Sequence, residues 1–314
     1  MLSSFFSNSK TANYIILSLA LPLILIVRFL TDTQKEPFLW NQLLALIGQV
    51  MILIFALLLA DFIFRKNKLT QPNTFGLWWF FCGLVTATDL GNLTQSLGLV
   101  VALLALRRVI SIFNEQNLEK KIFDAGFWIF LVAAFYPWFV FLLAPLYFAI
   151  AKTNQSSWRY YLAPLMAGIA LWLIQSAIVV LIPELREPVV LNSITFSASL
   201  APLKWSWPMN LWLQLGFGAA LLLLIISIVF LPLAHREVTG IRQAHLQLVW
   251  RIMILALAIA GFSANEKTEV FLWLILPLSA VLYANLIELR QPSLLREFFT
   301  IAPLVLPLVL LLLK

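Results

Sequence analysis

Long apolar runs are the strongest constraint on what this chain can fold into. The stretch Val50-Met-Ile-Leu-Ile-Phe-Ala-Leu-Leu-Leu-Ala60 holds no polar side chain, and runs of this kind recur from residue 11 to residue 313. Several approach or exceed the roughly 18–20 apolar residues with which one helix crosses a bilayer core. Hydrophobic residues make up 62% of the chain and charged ones 11%, against about 45–50% and about 25% in soluble domains. A water-soluble fold of this size has too little interior to hide that surface. The expected fold class is therefore all-α: a polytopic helical membrane protein, with residues 1–314 forming a single integral membrane domain.

The runs predict about eleven transmembrane helices, at 11–31, 41–64, 74–88, 93–109, 122–135, 138–151, 159–183, 208–232, 246–263, 268–287 and 298–313. Tyr136-Pro137-Trp138 interrupts the stretch 122–151. Proline breaks the helical hydrogen-bond ladder, so two spans with a tight turn, one kinked span and a re-entrant pair all fit there. Charge arbitrates. With the N-terminus inside, fifteen of the 21 Lys and Arg residues fall in inner loops and six outside, while the acids divide seven and seven. Such an excess of bases is how orientation is written in membrane proteins. It favours N-in and C-out. Merging the fifth and sixth spans would invert the later loops and weaken the bias, which favours eleven.

The apolar core after Thr11 exceeds the usual length in a cleavable signal peptide, so a retained signal-anchor is expected. Leu2, Phe5 and Phe6 ahead of Lys10 suggest a short interfacial foot. The segment from Val109 to Phe123 alternates apolar and charged residues and predicts an amphipathic helix on the inner surface.

Other totals exclude function classes. Cys82 is the single cysteine, which rules out an intramolecular disulfide and Cys-based metal or haem motifs. His235 and His245 share one polar loop at a spacing that fits no metal-ligand pair. Glycine patterns for nucleotide phosphates are missing. No cofactor and no metal are expected. Nor is nucleic acid, because the net charge of +7 is spread through short loops.

Three stretches carry a likeness. They are Met1-Leu-Ser-Ser-Phe-Phe-Ser-Asn-Ser-Lys10, Arg65-Lys-Asn-Lys-Leu-Thr-Gln-Pro-Asn73, and Leu106-Arg-Arg-Val through Lys120-Lys-Ile-Phe-Asp-Ala-Gly-Phe-Trp128. Together they resemble an uncharacterised family of bacterial inner-membrane proteins, a domain of unknown function of about this length. The resemblance implies a bacterial inner membrane and brings no activity with it.

Acids in the outer loops are the first chemical candidates: Asp32 and Glu36 in the first, Asp89 in the second. Membrane glycosyltransferases that use polyprenyl-phosphate sugars keep a catalytic carboxylate in the first outer loop. A carboxylate there takes the acceptor's proton, while bases hold the lipid phosphate. Arg28, Lys35, Arg186 and Lys204 are available for that second role. This chain departs from the pattern in having a short first outer loop. The plainer reading is a wetted loop with Arg28 and Asp32 paired at i,i+4. Between Ile182 and Pro208, Trp205 and Trp207 lie beside Lys204, suited to sugar stacking or to the aromatic belt at the headgroups. On the inner side Arg107 and Arg108 suit lipid phosphate or simple anchoring. Asp61 and Arg65 read as a local ion pair, and Asp124 as complementing the dipole at the start of the fifth span.

Mid-span polar residues are neutral: Gln49, Gln175, Ser176, Gln214 and Asn285. Ionisable groups at mid-bilayer mark proton and ion pathways, so a proton-coupled transporter is disfavoured. The expected activity is the handling of a lipid-linked envelope precursor, or service as a subunit of an envelope complex. Membrane lipids, among them a polyprenyl-phosphate carrier, and a membrane protein are the expected partners. A glycosyltransferase on the outer face, or a flippase using breaks such as Pro137, Pro145 and Pro164, are the alternatives.

Overall fold

The computed structural model describes residues 2–33, 40–114, 116–153, 157–181, 240–262, 267–288 and 293–312, with Gly218, Leu222, Leu223, Ile225 and Ile226 between them. Every regular element among the described residues is helical. Leucine and alanine dominate the apolar runs, and a helix satisfies each peptide group within its own segment. The elements are α1 (Leu2–Phe6), α2 (Thr11–Thr33), α3 (Trp40–Lys66), α4 (Phe75–Ala87), α5 (Leu93–Ile110), α6 (Leu118–Phe135), α7 (Leu143–Ala151), α8 (Trp158–Leu181), α9 (Ile241–Phe262), α10 (Lys267–Val270), α11 (Leu276–Glu288) and α12 (Ser293–Leu312). Among the described residues six helices are long and apolar enough to cross a membrane: Thr11–Leu30, Gln42–Lys66, Leu93–Asn114, Trp158–Ile178, Ile241–Phe262 and Thr268–Glu288.

The most buried column runs from α10 through a wide π turn, Phe271–Ile275, into α11. All of its apolar window is enclosed by other helices, against 17% for α8 at the periphery. Helix α4 lies against this column and against α3 and α12. Helix α6 packs between α5 and α8. Its approach to α8 needs small residues: a Cβ on Gly126 would stand 2.6 Å from the Cα of Pro164, and one on Gly168 would stand 2.7 Å from the Phe130 ring. Close backbone contact of this kind is how helices associate where lipid offers no hydrophobic drive.

The break at Tyr136 is real. Its backbone is extended (φ −140°, ψ 108°), a 3₁₀ segment follows over Pro137–Leu142, and α7 then packs back beside α6. One continuous helix over 122–151 is thereby excluded. The surface helix expected from Val109 to Phe123 does not form. Its first residues end α5, Ser111–Asn114 make a 3₁₀ turn, and Asn117 takes a left-handed conformation (φ 52°) before α6 begins. Alternation along this segment reflects tight reversal against the core, where Val109, Ile110, Ile112 and Ile122 are all buried.

Of the expected interfacial foot, Phe6 packs inward and Phe5 stays exposed. Phe6 is 4% exposed and stacks on Trp78 with ring centroids 4.7 Å apart. The Thr74 amide donates to the Phe6 carbonyl, and Ser3 donates through its amide and hydroxyl to Glu297 on α12. His245 does not lie in a loop. It belongs to α9, is 2% exposed, and its Nδ1 is 2.8 Å from the Asn67 carbonyl oxygen.

Candidate functional site

The turn between α4 and α5 is built by its own sequence. Thr88 leaves the helix in an extended conformation and its hydroxyl donates back to the Leu84 carbonyl. Gly91 takes a positive φ of 81°, which glycine adopts without strain. Asn92 caps α5 by accepting from the Gln95 amide at 3.0 Å. The Gln95 side chain returns to the turn: its Oε1 accepts from the Asp89 amide at 3.0 Å, and its Nε2 donates to the Asp89 carboxylate at 3.3 Å.

Two further helices hold this turn from below. Gln49 of α3 is fully buried. Its Nε2 donates to the Asp89 carbonyl at 2.6 Å and to Ser96 Oγ at 3.2 Å, while its Oε1 accepts from the Gly91 amide at 2.8 Å. Arg28 of α2 is 8% exposed and donates to the carbonyls of Val85 and Thr88. These bonds replace water for backbone groups that would otherwise be stranded, at about 1–3 kcal/mol for each group left unsatisfied.

A second carboxylate meets the first. Glu269 on α10 interacts with Gln95, with Tyr136 at the α6 break and with the charge of Asp89. Gln95 thus stands between two acids from distant parts of the chain. Behind them the π turn presents Trp273, whose indole N–H donates to the Gln95 carbonyl at 2.9 Å. Tyr136 and Phe139 lean on that indole with ring centroids at 4.8 and 5.3 Å. Gly98 leaves room for it, since a Cβ there would stand 2.0 Å from the ring. π turns inside α-helices recur at functional sites. The assembled feature is an exposed Asp89, a half-buried Glu269, a bridging amide, a phenol and an aromatic bed. Two carboxylates repel phosphate. They accept hydroxyl or amine hydrogens and take up protons.

The structure therefore brings Asp89 and Arg28 to one turn, with Arg28 beneath it on backbone carbonyls. Asp32 sits in the last turn of α2, with its side chain outside the described residues, and Glu36, Lys35, Arg186, Lys204, Trp205 and Trp207 lie outside them as well. Arg107 and Arg108 end α5 at the far side of the bundle. Arg107 lies over the Phe62 ring at 4.8 Å, and Arg108 pairs with Asp124 at 2.7 Å. Asp124 is in the second turn of α6 rather than at its start, so its partner is this arginine and not a helix end. The Asp61–Arg65 pair is present at 3.0 Å, with Tyr14 donating to Asp61. No group of three or more His, Cys, Asp or Glu able to hold a metal occurs among the described residues.

Glu269 and Gln95 are not singled out by the sequence, and Tyr136 is marked there only as part of the break. Glu269 follows Glu266 and Lys267 at the very start of the expected span 268–287. The one local signal was Gln95, three residues after the capping Asn92. The chain matches no protein-family model, no curated protein and no solved structure.

Proposed function

We propose that this chain is a multipass protein of a bacterial inner membrane, with about eleven spans running N-in and C-out, that handles a lipid-linked precursor of the cell envelope. The observation that carries the reading is Gln95, bonded to Asp89 and interacting with Glu269, at one end of the bundle. Paired acids with an amide and a phenol between aromatic walls suit the hydroxyl-rich head of a sugar-bearing lipid. The precursor's phosphate falls outside this pair, to bases such as Arg186 and Lys204. On this reading the Asp89 end faces out.

An enzyme reading has one specific support, the second carboxylate. Asp89 would accept the proton of an attacking hydroxyl as its oxygen bonds to the sugar carbon and the bond from that carbon to the lipid phosphate breaks, the phosphate leaving with the electron pair, while Glu269 would hold substrate hydroxyls by hydrogen bonds. The fold class fits both readings equally.

Lipids that co-purify with the chain, identified by mass spectrometry, test the proposal. Enrichment of a polyprenyl-phosphate-linked species over bulk lipid is expected, with loss of about tenfold in Glu269→Gln and in Asp89→Asn. Bulk phospholipid alone in all three proteins would overturn it. Retention of the lipid in Asp89→Asn with no turnover in a transfer assay would select the enzyme reading.

A further inference from the structure

The opposite end of the bundle gathers bases from three helices. Lys66 closes α3, Arg107 and Arg108 close α5, and Lys121 lies in the first turn of α6. Lys66 and Arg107 share one ring: the ammonium is 5.2 Å and the guanidinium 4.8 Å from the Phe62 centroid. Lys121 donates to the Ser111 carbonyl at 3.2 Å. Burial, and then the charges of Arg108 and Lys66, hold its ammonium below the usual lysine range. One acid, Asp124, is paired into this group, through Arg108. His245, which feels the charge of Lys121, has its Nε2 buried with no hydrogen-bond partner among the described residues.

An apolar stripe leads to these bases. Met51, Phe55, Leu58 and Phe62 are 66%, 53%, 45% and 41% exposed, and their spacing of three and four residues sets them on one face of α3, with Lys66 next in line. From Met51 to Phe62 the helix rises about 16 Å, close to the roughly 15 Å of one leaflet's hydrocarbon. Cations at the end of an apolar stripe one leaflet long match a phosphate headgroup joined to an acyl chain. Free phosphate would use the bases and leave the stripe without a role.

We propose that Lys66, Arg107, Arg108 and Lys121 form a site for the phosphodiester headgroup of an anionic phospholipid whose acyl chain lies along Met51–Phe62 of α3. It is independent of the Asp89 end. Arg108 keeps Asp124 as its partner and contributes by standing behind Arg107 and Lys121. The aromatic ring of Phe62 gathers Lys66 and Arg107 at one place before lipid arrives.

The test is native mass spectrometry of the full chain in detergent, incubated with equal amounts of phosphatidylglycerol and phosphatidylcholine. Phosphatidylglycerol adducts are expected to exceed phosphatidylcholine adducts about tenfold, and Lys66→Gln with Arg107→Gln is expected to remove that excess. Lys10→Gln with Lys68→Gln, which lowers net charge equally at exposed positions, is expected to keep it. Lys121→Gln alone, which leaves the Phe62 pair intact, is expected to weaken the preference by a few-fold. Equal binding of the two lipids, or equal loss in both double variants, would overturn the site. Displacement of the lipid by millimolar inorganic phosphate would overturn the lipid assignment and leave a free-anion site. A polyprenyl-phosphate species found at the other end neither supports nor harms this proposal, so the two fail separately.

Discussion

The two ends of the bundle solve the same problem with opposite chemistry. At the Asp89 end, neutral amides carry the structure. Gln49 and Gln95 satisfy a turn's backbone, Arg28 lends its guanidinium to two carbonyls, and the carboxylates of Asp89 and Glu269 are left at the rim. At the Arg107 end, ions carry it. Arg242 pairs with Glu288 at 3.0 Å and also donates to Asn285, while Glu288 accepts from the Gln71 amide and Asn73. That pair anchors the 67–74 segment to α9 and α11, as does Asn285 by donating to the Leu69 carbonyl. The comparison teaches where each end tolerates change: acids at the first are dispensable to the fold, whereas some charges at the second are not.

Substitutions make this contrast measurable in the unfolding midpoint of the purified chain. Arg242→Met has the largest expected effect, about 3–5 kcal/mol, because it strands the nearly buried Glu288 without its cation. A loss below about 1 kcal/mol would break the contrast between the ends. Gly98→Ala comes next. Its methyl group would meet the Trp273 ring, and overpacking costs about 1–3 kcal/mol; a matching change in Trp273 fluorescence separates this local clash from general loosening. Gln49→Leu is expected to cost about 1–3 kcal/mol by orphaning the Gly91 amide and leaving the Asp89 carbonyl only its long bond from the Asn92 amide. Faster hydrogen exchange confined to residues 88–96 would sharpen the assignment. Arg108→Gln is expected to change stability by under about 1 kcal/mol, since its pair with Asp124 is about a third exposed on both sides. Smallest is Asp89→Asn, within about 0.5 kcal/mol, because the turn uses this residue's backbone more than its carboxylate.

Helix positions were legible because apolar length is a local property of the chain. The expected spans at 11–31, 41–64, 74–88 and 93–109 match α2 to α5 within a few residues. The break at Tyr136 was legible for the same reason, since proline acts on its immediate neighbours. Asp89 could be found as an acid in a short polar turn. Its partner could not, because Glu269 reaches it only through the packing on α5 of the π turn that follows α10 and sets Trp273 on Gln95. Arg28 illustrates the opposite error. A base at a helix end suits phosphate on sequence grounds, yet its length also lets it reach carbonyls on α4, and only packing decides between them. The alternation from Val109 to Phe123 misled because a reversal pinned at Asn117 also alternates buried and exposed positions. Gln49 is legible as a neutral polar residue within a span, but not its role of tying α3 to the backbone of the Asp89–Gly91 turn.

The contact between Ser3 and Glu297 spans 294 positions of sequence. Chains emerge from the ribosome N-terminus first, so α1 is synthesised long before its acceptor exists. Phe6 meets Thr74 and Trp78 as soon as α4 is made, whereas Ser3 must wait for Glu297 until the helices between are laid down. The fastening of α1 onto α12 is thus a late event in biogenesis, and a chain cut short of Glu297 lacks the acceptor for Ser3.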